Sequence, residues 1–435
     1  MSTRIRSRCG PAIRIVRLIG HLAALVVAIP CLAEEAPATI TLDSAVVEAV
    51  EKNLDLIASR VDIDIAQARE ITAGLRPNPE LEASADHLDW LGYGFSLDNG
   101  AGPPEYAVHA SFPIEVAGKR KKRMTAAEAG TQVARLEFLD EVRATIFEVQ
   151  STFVDALLAG KNLALARTNL DSQEQIVALN KTRVGLGDIA EVELIRSRLA
   201  ALEYRNEVRL AEARRRTAVT TLQKLMGRGS LSRQLGVAGD LRSQTELPER
   251  ERVLKLALER RPDLQAQRLD FERAEADWKL ELANAKADPS VGAEYRRQQG
   301  VNGTGNSLGF TFGIALPAFD RNQGEIARAE RERHQAQLRV RAIEIAVAEE
   351  VENAYETLRT AHELLMSIEG AMIKEAEDVR SITEYSYKRG EATLLELLDA
   401  QRAFNETMRG HNEARAEFAR SLYFIESVTG EAVNP

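Results

Sequence analysis

The chain has 435 residues, of which 28% are charged and 5% aromatic, and its formal net charge at pH 7 is −9. An acidic chain of this kind is a poor partner for nucleic acid, and its composition suits long helices better than a large globular core. Its two cysteines, Cys9 and Cys31, both precede residue 34. The rest of the chain therefore has no disulfide framework and no cysteine-ligated metal site.

The first 33 residues have the pattern of a secretory signal peptide. Five arginines precede an uncharged, mostly apolar run over residues 18–30, and the small residues Cys31 and Ala33 predict cleavage after Ala33. The run is shorter than the roughly 20 residues of a membrane-spanning helix. Cleavage would remove five arginines and change the net charge from −9 to −14. The alternatives are lipidation of Cys31 and an uncleaved anchor.

Residues 34–227 are predicted to form a first repeat. Two short helices end before Pro77 and Pro79, and alternating apolar and polar residues at about 80–90 and 105–113 predict a β-hairpin. A helical hairpin over 118–227 follows, because its only sharp break is the Val-Gly-Leu-Gly-Asp sequence at 184–188. The first arm, with 66 residues from 119 to 184, would be roughly 100 Å long.

The same plan returns in residues 251–430. A connector at 228–250 leads to two more short helices, strands at about 290–298 and 307–317, and a second helical hairpin over 320–430, with residues 431–435 as a tail. Matching features lie 203 to 210 residues apart, which indicates an internal duplication. The matched pairs are Asp55 and Asp263, Pro79 and Pro289, Pro113 and Pro317, and Gly227 and Gly430.

The predicted fold is mainly α with a small β part. One chain supplies only four strands, whereas single-chain membrane barrels have at least about eight, so several copies would have to pool their strands. Long helices with narrow apolar seams must likewise bury those seams on one another, as a tube. The sequence favours an oligomeric conduit with strands in an outer membrane and helices in the periplasm. A periplasmic coiled-coil scaffold is the alternative, although a scaffold has no use for the alternating apolar residues of 308–316.

Both helical turns carry a motif. The sequence Val-Gly-Leu-Gly-Asp-Ile-Ala-Glu-Val at 184–192 and the sequence Tyr-Lys-Arg-Gly-Glu-Ala-Thr-Leu-Leu-Glu-Leu-Leu-Asp-Ala at 387–400 resemble the two turns of the TolC family of outer-membrane efflux proteins. The resemblance implies a homotrimer, with a 12-stranded β-barrel continuous with a 12-helix α-barrel. It also implies docking of the turns onto a periplasmic adaptor (membrane fusion) protein that is linked to an inner-membrane RND pump.

Two shorter segments resemble one branch of that family. The Pro-Asn-Pro sequence at 77–79 and the Phe-Pro-Ile-Glu-Val-Ala-Gly-Lys-Arg sequence at 112–120 look most like the heavy-metal cation-efflux (CzcC-like) branch. The resemblance implies export of metal cations by a passive conduit. Drug efflux and type I secretion are the alternatives within the same fold.

Three groups of residues are candidates for function. Exposed turns on rigid helices commonly contain binding residues, so adaptor docking is predicted at the two tips. The glycines there also have the ordinary role of allowing the turn. A periplasmic constriction or gate is predicted past the second tip, where two carboxylates share a helix face; a solvated acidic face is the alternative. The predicted docking residues are Val184, Gly185, Leu186, Gly187, Lys388, Arg389 and Gly390. The predicted gate residues are Glu191, Tyr387, Glu396 and Asp399. The predicted residues of the barrel–helix junction are Pro113, Gly118, Lys119, Arg120 and Pro317.

Two interactions are hypothesised for these residues. A hydrogen bond between Tyr387 and Glu191 would help to hold the end of the tube shut. The basic run at 119–123 would contact lipid headgroup or lipopolysaccharide phosphate at the outer membrane, or would simply be solvated. No nucleophile, paired-carboxylate or histidine pattern predicts a catalytic site, a metal site or a cofactor, so no enzymatic activity is expected.

Overall fold

The computed structural model describes residues 39–88, 103–229, 235–243, 247–300 and 303–430. All of them belong to one compact unit. The predicted signal peptide, its cleavage site and Cys31 lie outside the described residues. No helix within the described ranges combines the length and the apolar character needed to cross a membrane.

Long helices dominate the unit, as the sequence predicts. Thr41 and Asn53 cap α1 and α2, and Pro262 begins α6. A π-helical turn, Ile368–Met372, interrupts the second long arm and separates α7 from α8. The helices are α1 Leu42–Lys52, α2 Leu54–Ala73, α3 Lys119–Leu186, α4 Glu191–Leu225, α5 Arg250–Arg260, α6 Pro262–Asn284, α7 Gln323–Ser367, α8 Ile373–Arg389 and α9 Leu394–Thr429.

The strands form one four-stranded antiparallel sheet and one short parallel pair. The sheet has the order β2-β3-β5-β6, so the hairpin of the first repeat lies beside that of the second, and β2 and β6 are its free edges. A two-stranded parallel sheet joins β1 to β4. The strands are β1 Thr39–Ile40, β2 Glu80–Asp86, β3 Glu105–Pro113, β4 Gly236–Val237, β5 Pro289–Gly300 and β6 Gly303–Ile314. The predicted fold class, duplicated helical hairpins with two β-hairpins, is confirmed.

Helices α3 and α7–α8 run the length of the helical part. Nearer the sheet, α3 packs between α2 and α6, and α6 packs on α7. Nearer the tips, α3 packs between α4 and α9, and α9 packs on α8. Two buried apolar clusters support this packing. One lies between α1, α3 and α4 around Phe153 and Leu222, and the other lies between α5, α7 and α9 around Leu358 and Phe418.

A glycine closes each repeat at the same kind of joint. Gly227 and Gly430 end α4 and α9 with φ of 69° and 73°. A Cβ on Gly227 would lie 2.0 Å from the carbonyl oxygen of Lys52, and one on Gly430 would lie 3.2 Å from the carbonyl carbon of Arg260. Both positions therefore require glycine, because the helix end is pressed against the end of the short opening helix.

Candidate functional site at the helical tips and the sheet

Each long hairpin turns at a glycine in the left-handed region. Gly187 has φ of 80° and Gly390 has φ of 83°. In both turns the glycine amide donates to the carbonyl three residues back, and the next amide donates five residues back, which satisfies the last helical carbonyls. Gly185 is different, because α3 continues to Leu186 and includes it as an ordinary helical residue.

The predicted docking residues lie at the surface of the two tips. Gly185, Leu186, Gly187, Lys388, Arg389 and Gly390 are exposed, and Val184 is partly buried. Lys388 pairs with Glu384 at 2.7 Å, and the guanidinium of Arg389 lies 4.5 Å from the ring centre of Tyr385. Leu186 is 72% exposed. An exposed apolar side chain beside turn backbone is a common composition for a small binding surface.

Arg183 joins the two tips. Its Nη1 donates to the backbone carbonyl of Tyr387 at 3.2 Å, and its guanidinium lies 5.7 Å from the centre of the Tyr387 ring. A Cβ on Gly390 would lie 3.2 Å from Nη2 of Arg183, so the glycine also makes room for the arginine. One side chain of the first hairpin thus holds the last turn of α8 in the second hairpin.

Tyr387 is buried and completes this joint. It is 3% exposed, and its hydroxyl donates to Oδ1 of Asn180 at 2.6 Å. The ring packs with Ile176, Leu394 and Leu397. Burial raises the pKa of Tyr387 above its usual value, and the hydrogen bond with Asn180 and the nearby Arg183 charge offset part of that rise. We call Asn180, Arg183 and Tyr387 the tip lock.

The hypothesised Tyr387–Glu191 hydrogen bond is wrong within the chain. The hydroxyl has one proton, and that proton goes to Asn180, which is fully buried on α3. Glu191 is exposed in the first turn of α4. The acidic side chain that acts on the Tyr387 pKa is Glu193.

The two predicted gate carboxylates differ in their surroundings. Glu396 completes a capping box at the start of α9, where Oε2 accepts from the Thr393 amide at 2.7 Å and from the Thr393 hydroxyl at 2.9 Å. These hydrogen bonds lower the pKa of Glu396. The side chain of Asp399 is 62% exposed and lies 3.6 Å from Arg402. Glu396 thus has a structural task, and Asp399 is the freer anion.

The four-stranded sheet has one apolar face and one polar face. The apolar side chains align across the strands, for example Val108 beside Tyr295 and Ala293 beside Phe310. That face is uncovered: Phe310 is 82% exposed and Phe312 is 71% exposed. The polar face carries Glu82, His109 and Glu294 in one row of the ladder. An exposed apolar face of this kind is typical of a surface that contacts a membrane or another protein chain, because its exposure to water is unfavourable.

The predicted junction lies where the sheet meets the helices. Pro113 ends β3, Gly118 caps α3 with φ of 69°, and Pro317 follows β6. Lys119 is buried, and its Nζ donates at 2.7 Å to both the Asp288 carboxylate and the Lys286 carbonyl. Lys119 and Asp288 therefore tie the first junction to the second.

The basic run is mostly used inside the chain. Besides Lys119, Arg120 donates to the Gly74 carbonyl at 2.6 Å, Lys122 donates to the Ala117 carbonyl at 2.8 Å, and Arg123 pairs with Glu115. The expectation that the whole run faces headgroup phosphate is wrong for Lys119, which is only 7% exposed. This contact was not predictable from local patterns, because Asp288 lies 169 residues from Lys119 along the chain.

Sequence reasoning missed Asn180 and Arg183. Both lie on α3 just before the first turn, more than 200 residues from Tyr387 along the chain. The available signal was Asn180 itself, an amide seven residues after Gln173 on the seam-forming helix. In the part of the chain that the structure describes, no three histidine or acidic side chains are grouped to hold a metal ion.

The sheet has an exposed apolar face and continues into paired long helices that end in two joined tips. This combination defines a channel subunit of the helical-tube class. The chain belongs to the outer membrane efflux protein family, whose model matches residues 45–228 and 253–431.

Known proteins of this kind are similar over most of their length. The cobalt-zinc-cadmium resistance protein CzcC of Cupriavidus metallidurans is 26% identical over 378 residues, which is 86% of each chain. The pyoverdine export outer membrane protein OpmQ of Pseudomonas aeruginosa is 24% identical, over 83% of this chain and 79% of OpmQ. The solved outer-membrane channel OprN has a TM-score of 0.75 at 18% identity, with 91% of both chains covered.

Proposed function

We propose that the chain is one subunit of a homotrimeric outer-membrane channel, a passive conduit rather than an enzyme. Three copies would supply 12 strands and would hide the apolar sheet face in lipid. The observation that carries the proposal is the sheet itself, with its two free edges and its uncovered aromatic and aliphatic face. Strand pairing between β6 of one copy and β2 of the next would satisfy the edge backbone groups.

Exposed apolar residues on the outer helices support assembly as well. On α4, Ile195 and Leu199 are 55% and 58% exposed, and on α8, Val379 and Ile382 are 53% and 65% exposed. Each pair has helical spacing, and the two helices lie at opposite lateral edges of the tip half. Packing of α4 on α8 of a neighbouring copy would bury both stripes.

The tips would then form the periplasmic entrance. The tip lock joins the two hairpins of each copy, and Asp399 and Glu396 of three copies would place six carboxylates near the closed end. Such a ring favours cations at a constriction. The exposed turns at Gly187 and Gly390 would dock a periplasmic adaptor, which links the channel to an inner-membrane RND pump.

Metal cations are the substrate class that we infer. CzcC is named as a cobalt-zinc-cadmium resistance protein, and its identity to this chain exceeds that of OpmQ, which is named for pyoverdine export. A deletion strain should become sensitive to cobalt, zinc or cadmium, and the intact gene should restore growth. Sensitivity to a siderophore or drugs alone, or loss of a secreted protein, would instead support the alternative substrates within this family.

Two physical measurements test the assembly and location. Native mass spectrometry of the protein extracted in detergent should give three copies of a chain that begins at Glu34, because cleavage is proposed after Ala33. The protein should fractionate with outer membranes. A water-soluble species that needs no detergent would favour the periplasmic scaffold.

A further inference from the structure

Three long helices carry a glycine at one level above the tips. These are Gly160 in α3, Gly370 in the π-helical turn and Gly410 in α9. Gly370 is 20 residues before Gly390, which places the level about 30 Å above the second turn. Contacts across the helices fix the alignment, since Asn162 bonds Asn412 at 2.9 Å and Glu369 lies 2.9 Å from His411.

No packing constraint explains these glycines. A Cβ built on Gly160, Gly370 or Gly410 would meet no atom of the described residues within 4 Å. The other glycine well inside α3, Gly130, does have a neighbour, Cδ of Arg273 at 3.7 Å. Glycine within a helix costs about 1 kcal/mol relative to alanine, so the three positions weaken their helices without a gain in contacts.

The π-helical turn lies at the same level. It breaks the regular hydrogen-bond ladder of the second long arm between α7 and α8. Turns of this kind often mark functional positions, and they are among the few places where a long helix bends sharply. Its Glu369 reaches His411, next to Gly410, so the irregular turn contacts the weakened part of α9 directly.

Below this level, buried amides lie on α3 and α9 beside the apolar cluster of Ile176, Leu394 and Leu397. Counting down α3 from Asn162 by seven and then four residues reaches Asn169 and Gln173, and the same steps back along α9 from Asn412 reach Asn405 and Gln401. Because α3 and α9 are antiparallel, these amides fall at matching heights. All four that follow the Asn162–Asn412 pair are buried.

These amides bond to α4 and are only partly satisfied, since Nε2 of Gln173 donates to the Ser197 carbonyl at 3.0 Å and Nδ2 of Asn405 donates to the Tyr204 hydroxyl at 3.2 Å. Oε1 of Gln173, Oε1 of Gln401 and Nδ2 of Asn180 are buried with no hydrogen-bond partner among the described residues. Above the level, α3 and α9 are held by the Asp155–Arg420 ion pair at 2.6 Å and by the Phe147–Phe424 ring contact, and Oε1 of Gln150 on α3 is also buried with no hydrogen-bond partner among the described residues. Amides can exchange donors and acceptors when helices shift.

We propose that Gly160, Gly370, Gly410 and the π-helical turn form a hinge, and that the helices below it shift when the tip lock opens. The inference rests on the proposed channel function, since that function supplies the opening. The tip lock joins the two hairpins, so any opening at the tip must move one hairpin against the other. The hinge level is where such a movement meets the least resistance.

Hydrogen–deuterium exchange on the purified wild-type protein tests the hinge without any need for conduction. The backbone amides within one turn of the three glycines should exchange at least about tenfold faster than those two turns away on the same helices. Replacement of all three glycines by alanine should remove the difference and should raise Tm by a few degrees. Uniform exchange along these helices in the wild type would overturn the proposal.

Single-channel recording provides the second test. Tyr387→Phe should open the channel, and the three alanine substitutions added to it should return conductance toward the closed wild-type value. Gly324→Ala in α7 is the matched control, because its Cβ also meets no atom within 4 Å and it lies far from the hinge level. If the triple variant gains stability while the Tyr387→Phe conductance is unchanged, the hinge is refuted and the channel function stands.

Discussion

The hydroxyl of Tyr387 donates to Oδ1 of Asn180 across 2.6 Å, and this bond joins two hairpins whose residues lie 207 positions apart. Both side chains are shielded from water, with exposures of 3% and 0%. Removal of one partner of such a bond costs more than the net value of the bond itself, because the other partner is left as a buried polar atom with no hydrogen bond.

Tyr387→Phe should weaken the tip lock. The ring would keep its contacts with Ile176 and Leu397, while the bond to Asn180 would be lost at a cost of about 1–2 kcal/mol. Single-channel conductance in planar bilayers should rise. Tyr385→Phe is the control, since Tyr385 is 55% exposed; equal conductance in the two variants would count against the lock.

The lock should also tolerate alkaline solution. Burial raises the folded-state pKa of Tyr387 above its ordinary value near 10, so its stabilising contribution is complete below about pH 10 and is lost only as pH rises through the raised pKa. Absorbance titration near 295 nm, as a wild-type minus Tyr387→Phe difference, should show this tyrosine ionising later than exposed tyrosines. An ordinary midpoint would contradict its burial.

Arg183→Ala should loosen the same joint by a different route. The change removes the donor to the Tyr387 carbonyl and the charge near the ring, together about 1–2 kcal/mol. Cysteine pairs introduced across the two tips should cross-link more slowly in this variant. Arg196→Ala, whose side chain is 63% exposed, should leave the cross-linking rate unchanged.

Gly227→Ala should destabilise the fold strongly. The new Cβ would enter the left-handed region and would meet the Lys52 carbonyl at 2.0 Å, a combined cost of about 3 kcal/mol or more. Thermal unfolding should show a clear fall in Tm. Gly229→Ala, two residues on and with no atom of the described residues within 4 Å of its Cβ, should change Tm little. Similar losses in both variants would refute the close-contact account.

Lys119→Met should separate the two junctions. The partly buried Asp288 carboxylate would lose its ammonium partner, at a cost of about 2 kcal/mol in the free energy of unfolding. Lys121→Met is the control, because Lys121 lies in the same first turn of α3 and is exposed. If headgroup binding were the main task of the basic run, both variants would lose lipid association equally and neither would lose stability.

Local signals made most of the fold predictable. The prolines at 113 and 317, the glycines at the turns and the alternating residues of the strands act over a few positions, so the sequence shows where elements begin and end. The first long arm was expected at 119–184, and α3 is Lys119–Leu186. The π-helical turn was not predictable, because one extra residue in a turn leaves the apolar spacing nearly intact.

The tip contacts were less accessible to sequence reasoning. The motif at 387–400 pointed to Tyr387, but its partner depends on how α3 and α8 align, and no local pattern sets that alignment. Glu191 was selected by its motif, whereas the structure places Asn180, one helix earlier, under the hydroxyl. The capping role of Glu396 was readable in principle, since Thr393 and Glu396 have the spacing of a capping box.

Ion conduction by the purified mature protein tests the central claim most directly. Reconstituted in a planar lipid bilayer, it should insert as trimers and give discrete, cation-preferring current steps that are small in the wild type and larger in Tyr387→Phe. A protein that remains monomeric, needs no detergent and produces no current steps in either form would contradict the channel.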